Sequence, residues 1–85
     1  MNDNEFVQEL DKKVRKGKLQ KRKERHFLNR WGKIPSGEIR SNIIVYIYMD
    51  LNGKDLYRVT HKINERANYH HILIEEYVKG SIAAS

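Results

Sequence analysis

The feature that most restricts how this chain can fold is a pair of β-rich runs flanking Asn52-Gly53. Ile43 to Met49 reads IIVYIYM, and after the turn residues the segment Leu56 to Ile63 reads LYRVTHKI. β-Branched and aromatic side chains fit a pleated surface, and an Asn-Gly pair tolerates the positive φ that both central residues of a type I′ turn require. The sequence therefore predicts a hairpin centred on Asn52-Gly53. Its register would set Tyr48 opposite Tyr57 and Tyr46 opposite Val59 on one face, with Met49 opposite Leu56 and Ile47 opposite Arg58 on the other. Both faces of the first strand are apolar, so it is expected to lie centrally in a sheet or to be covered on both sides.

Helical spacing is the signal on either side of this hairpin. Phe6, Leu10 and Val14 recur at i, i+4 and i+8, with Asn4 or Asp3 as N-cap and Glu5 and Glu9 suited to the first turns. Gly17 interrupts that helix. Lys18 to Arg30 is helical by propensity, yet bases occupy every face, so self-repulsion is expected to leave it frayed when unbound. GKIPSG, residues 32–37, carries a loop signature. Beyond the hairpin, Asn64 reads as an N-cap, Ala67, His71, Ile74 and Val78 step along one helical face, and Gly80 stands at C′. The expected fold class is α+β: a basic N-terminal helical arm, partly flexible, over 1–33; a β-hairpin, extended to a three-stranded antiparallel sheet if HFLNRW joins it, and a C-terminal helix over 34–80; and a frayed tail over 81–85.

A chain of 85 residues has room for one domain. It contains no cysteine, so neither disulfides nor thiolate zinc ligation can supplement a small core. Self-association is the expected remedy, since one strand is apolar on both faces. The acidic start MNDNEFVQELDKK lacks the apolar run of a signal peptide, and no stretch approaches the ~18 apolar residues of a membrane span. A cytoplasmic protein without membrane partner or cofactor is the expectation.

Charge separates the chain into three parts. Residues 1–11 hold four acids and no base, and residues 34–85 hold six of each. Between them Lys12, Lys13, Arg15, Lys16, Lys18, Lys21, Arg22, Lys23, Arg25, Arg30 and Lys33 face Glu24 alone, a net +10 in 22 residues. Solvated helical faces mix signs, whereas a run of one sign neutralises phosphates and releases their condensed counterions. These eleven bases are the candidate nucleic-acid-binding residues, on DNA or RNA. Phe27 and Trp31 follow the densest bases and could stack on an unpaired base, although packing as the anchor of the arm is the stronger reading for them. Tyr46, Tyr48 and Tyr57 could form a platform for bases or simply cross-strand pairs.

The histidines offer no catalytic or metal pattern. His70 and His71 are adjacent, no HExxH or paired carboxylates accompany them, and no metal site is expected. If the chain were a small basic endoribonuclease, His61, Arg58 and Tyr57 would be its nominees, as general base and phosphate clamp. The stretch Ile43 to Val78, with its strand, NGK turn, second strand and following helix, resembles the sheet-and-helix DNA-binding domains at the N-termini of some phage and transposon integrases. In that family a basic sheet face enters the major groove; here the hairpin is neutral, and the chain is not assigned to it. A second functional class remains beside nucleic-acid binding: a small phage-type regulatory protein whose hairpin or amphipathic helix binds and modulates a host protein.

Overall fold

The structure, a computed structural model, describes residues 1–34, 37–64, 68–78 and 81–83, with side chains at 1–28, 41–64 and 68–77. One helix, α1 (Asp3–Arg15), precedes five strands: β1 (Gln20–Ile34), β2 (Gly37–Met49), β3 (Asp55–Asn64), β4 (Tyr69–Val78) and β5 (Ser81–Ala83). The strands form one antiparallel sheet in sequence order, each pairing with the next.

The ends of α1 are set by local chemistry. Asn2, rather than the expected Asn4 or Asp3, is the N-cap: its Oδ1 accepts from the Glu5 N–H at 2.8 Å, and its amide donates back to the Glu5 carboxylate at 3.2 Å. At the other end Gly17 takes φ +74. The Gly17 N–H donates to the Val14 carbonyl at 3.0 Å and the Lys18 N–H to that of Lys13 at 2.9 Å. That pair of bonds is a Schellman closure, which a residue at positive φ permits.

The segment expected to continue as a helical arm is instead strand β1, and the expected loop 32–37 contracts because Gly32–Ile34 and Gly37 belong to strands. The physical reason lies in the charge itself. A helix rises about 1.5 Å per residue and would crowd these bases, whereas a strand rises about 3.3 Å and sends neighbours to opposite faces. An edge strand also tolerates charge on both faces. Pro35 lies outside the described residues.

The expected C-terminal helix is also corrected, to strand β4. Its stripe leaned on Ala67 and His71, while Ile72, Ile74, Val78, Tyr69 and Tyr77 are all strand formers. On alternation, His70, Ile72, Ile74 and Glu76 share one face and meet Ile63, His61, Val59 and Tyr57 of β3 on neighbouring pairs. Asn64, expected to cap a helix, ends β3 with its side chain buried, and Asn68 at φ +49 enters β4. Ala67 and Gly80 lie outside the described residues. Ser81–Ala83, expected as frayed tail, pairs with Glu76–Val78. The likeness to integrase DNA-binding domains fails at the same point, since the hairpin is followed by strand β4 where that likeness needs a helix.

The hairpin itself forms with Tyr48 opposite Tyr57, Tyr46 opposite Val59 and Ile47 opposite Arg58. Met49 pairs with Asp55 rather than Leu56. The turn explains the shift: Gly53 alone is at positive φ, its N–H bonded to the Asp50 carbonyl at 3.1 Å, and Asp50 N–H closes on Lys54 at 2.9 Å. This is a three-residue loop ending in a left-handed glycine, not the two-residue type I′ turn. The Asp50 carboxylate secures it by accepting the N–H groups of Asn52 and Lys54 at 2.9 and 2.8 Å.

β2 is an interior strand, between β1 and β3, as its two apolar faces require. On one side of the sheet α1 lays down Val7 and Leu10, which form the core with Tyr48 and Val59. Phe6, Val14, Leu19, Tyr46, Tyr57, Ile72 and Ile74 pack around them, Phe6 meeting Tyr57 edge-on with ring centres 5.2 Å apart.

Candidate nucleic-acid interface

The eleven bases nominated from the sequence divide among three places. Lys12, Lys13 and Arg15 occupy the last turn of α1, where cations suit the negative end of the helix dipole, and Lys16 is its C-cap. Lys18 lies in the connection, and Lys21, Arg22, Lys23 and Arg25 lie on β1. Arg30, Lys33 and the stacking candidate Trp31 are also in β1, but their side chains lie outside those described. All of the nominated bases up to Arg25 are solvent-exposed.

β1 has a bulge between Lys23 and Arg25 that leaves Glu24 as the extra residue. Arg22 opposes Ile47 and Arg25 opposes Val45, so both point away from α1; Lys21 and Lys23 oppose Tyr48 and Tyr46, on the helix side. Two of the bases are engaged. Lys21 donates to Asp11 at 2.8 Å and stands over the Tyr46 ring, 4.3 Å from its centre. Arg22 donates to Asp55 at 3.0 Å and rests against the Met49 sulfur. Lys12, Lys13, Arg15, Lys16, Lys18, Lys23 and Arg25 have no ion-pair partner among the described residues.

Asp11 joins the helix to this edge. Burial pulls its carboxyl upward, but donation from Lys21 and from the Tyr48 hydroxyl, at 2.5 Å, holds it below the ordinary carboxylate value. Tyr48 is correspondingly pushed up, by burial first and then by Asp11. The same side of the sheet carries a line of rings. Tyr46 meets His61 edge-on at 5.9 Å, and His61 Nδ1 lies 3.0 Å from His70 Nε2. Burial, then His70 and Lys21, lower the pKa of the His61 imidazole.

The trio His61, Arg58 and Tyr57 does not assemble. His61 and Tyr57 face the helix side, whereas Arg58 is on the other, where its guanidinium makes a bidentate pair with Glu75 at 2.9 and 2.7 Å. The tyrosine platform is likewise spent on packing, since Tyr48 is fully buried and Tyr46 and Tyr57 pack against the core. Phe27 is 41% exposed, on the side away from α1. The gathering of His61 and His70 was missed because 69–78 was read with helical spacing; read with period two, His70 falls diagonally beside His61. Comparison of the chain with protein-family models, curated proteins and solved structures yields no match. No helix among the described residues is long and apolar enough to cross a membrane.

Proposed function

We propose that this chain is a cytoplasmic nucleic-acid-binding protein that holds phosphates along Lys12–Lys33, at the C-terminal end of α1 and the β1 edge. One observation carries the reading: seven exposed bases from Lys12 to Arg25 have no ion-pair partner among the described residues. Unpaired cations on one edge give a polyanion its full Coulombic gain without first breaking an internal pair. The self-association expected from the sequence belongs to the same proposal, with sedimentation at micromolar concentration as its measure: a stable monomer would remove it.

Deleting Lys12–Lys33 would remove an edge strand, so point changes make the cleaner test. Fluorescence anisotropy at several salt concentrations should give log K against log salt a slope of roughly −4 to −5 on duplex DNA, if about five phosphates are neutralised. Joint charge reversal at Lys18, Lys23 and Arg25 should flatten that slope by about 3, whereas Lys54→Glu in the β2–β3 loop should leave it nearly unchanged. Absence of binding at low salt would overturn the reading in favour of a regulator of another protein.

A further inference from the structure

α1 covers only part of the side of the sheet on which it lies. It packs over the pairs Tyr48–Tyr57 and Tyr46–Val59, with Ile74 and Ile72 beyond them. The sheet continues on the same side through His26, Ile44 and His61 on one row and Leu28, Asn42, Ile63 and His70 on the next. Ile72, at the β4 end of the first row, still packs against the helix-side core, but none of His26, Leu28, Ile44, His61, Ile63 and His70 belongs to that core. His26, Leu28 and His70 are exposed, Leu28 by 57%, and Ile44, His61 and Ile63 are half-buried.

Three properties of this strip point to one kind of occupant. First, its rings are contiguous: Tyr46 touches His61 edge-on, and the His61 and His70 rings lie 5.3 Å apart with their planes inclined by 32°. Second, a cation stands on the row next to it, since Lys23 opposes Tyr46 on the same side, and the unpaired bases at the end of α1 precede the start of the same strand β1. Third, it is itself a nearly neutral surface, because the rows hold no carboxylate. A duplex hides the faces of its bases and offers only phosphates and groove edges. Single strands present base faces, which stack on flat rings carried by a sheet, and the rings used include histidine.

We infer that this helix-free strip binds single-stranded nucleic acid, with unpaired bases stacked on the His61 and His70 rings and the backbone phosphates led along Lys23 and the basic end of α1. The inference rests on the nucleic-acid reading above and narrows it to one class of ligand. Adjacent strands lie about 4.8 Å apart, so the edge bases of β1 and the rings on β3 and β4 are separated by no more than a few nucleotides of extended backbone. His61 is kept toward its neutral form by burial first, and then by His70 and Lys21. Its ring therefore serves as a stacking face, while the phosphates are left to the lysines.

The test compares a labelled oligothymidylate with a mixed-sequence duplex of the same length, using the full chain. The joint change His61→Ala and His70→Ala should weaken single-strand binding about tenfold and leave duplex binding within about twofold. Replacing both by Phe, which restores flat rings without a titratable group, should recover most of the single-strand affinity. If the double alanine variant loses its β-sheet circular dichroism, His70→Ala alone serves, since that ring is exposed, and about a threefold loss on the single strand is expected. Unchanged single-strand affinity in a folded variant, or equal losses on both probes, would overturn the inference while the nucleic-acid reading stands. If the unaltered chain binds neither probe at low salt, the nucleic-acid reading itself falls, and this inference with it.

Discussion

The two sides of the sheet reach burial by different means. On the helix side a separate element supplies the cover: Val7 and Leu10 of α1 close over Tyr48 and Val59, each of the four no more than 5% exposed. On the other side no helix is present among the described residues, yet Ile47 is fully buried. Its cross-strand neighbours are Arg22 and Arg58, whose heads are drawn to Asp55 and Glu75. Arginine stems can lie along apolar surface while their charged ends stay wet, and here paired arginines flank the isoleucine where another fold would use a second layer. The described residues thus keep two apolar faces on the interior strand β2 with one helix to cover them. The cost is that its open side depends on charge.

This contrast predicts a ranking. Leu10→Ala opens a cavity in the helix-side core and should cost about 3 kcal/mol in urea unfolding, the largest loss of the set. Tyr48→Phe comes next, at about 2 kcal/mol, because it removes a part-buried hydrogen bond to the Asp11 carboxylate. That loss should depend on pH. Asp11 is held below its ordinary value of 3.8, so its contribution is complete above that value and fades as pH falls through the folded pKa. Unfolding curves at neutral pH and at pH 3 should show the gap between Tyr48→Phe and the unaltered chain narrowing in acid. A gap that widens would mean that the hydroxyl does not hold Asp11 ionised.

Arg58→Ala tests the open side and should cost least, about 1 kcal/mol, since the pair with Glu75 is partly exposed and its loss is shared between charge and packing over Ile47. Arg58→Met, which keeps a long apolar stem, should recover part of that loss, and high salt should shrink the difference between unaltered chain and alanine variant. An Arg58→Ala cost equal to that of Leu10→Ala would erase the distinction between the two sides.

How much of this was legible follows from which signals were local. The hairpin could be read because strand propensity, turn residues and two-sided apolarity all agreed between Ile43 and Ile63. The first helix could be read from Phe6, Leu10 and Val14 with a glycine after them. β4 was not, because ILI at 72–74 satisfies period two and period 3.6 alike, and only the bare edge of β3 decides between them. β1 was hidden by its charge, which suits an exposed edge strand as well as it suits a helix. Within the candidate site, the concentration of bases was plain, but not which side each occupies. The bulge at Glu24 reverses the alternation, and so Arg22 and Arg25, three positions apart, share a side.

The pairing of every strand with its immediate predecessor bears on how the chain assembles. Each new strand closes a short loop onto an edge already formed, so little chain entropy is lost at any step, and the non-local searches that slow many sheet proteins are avoided. α1 is the exception. It leaves the ribosome before the strands, yet 13 residues make a marginal helix in water, and its partners Tyr48 and Val59 arrive more than thirty residues later. The helix therefore waits for the β2–β3 hairpin, and the basic stretch between them is synthesised, exposed and available to a polyanion before the fold that will carry it is complete.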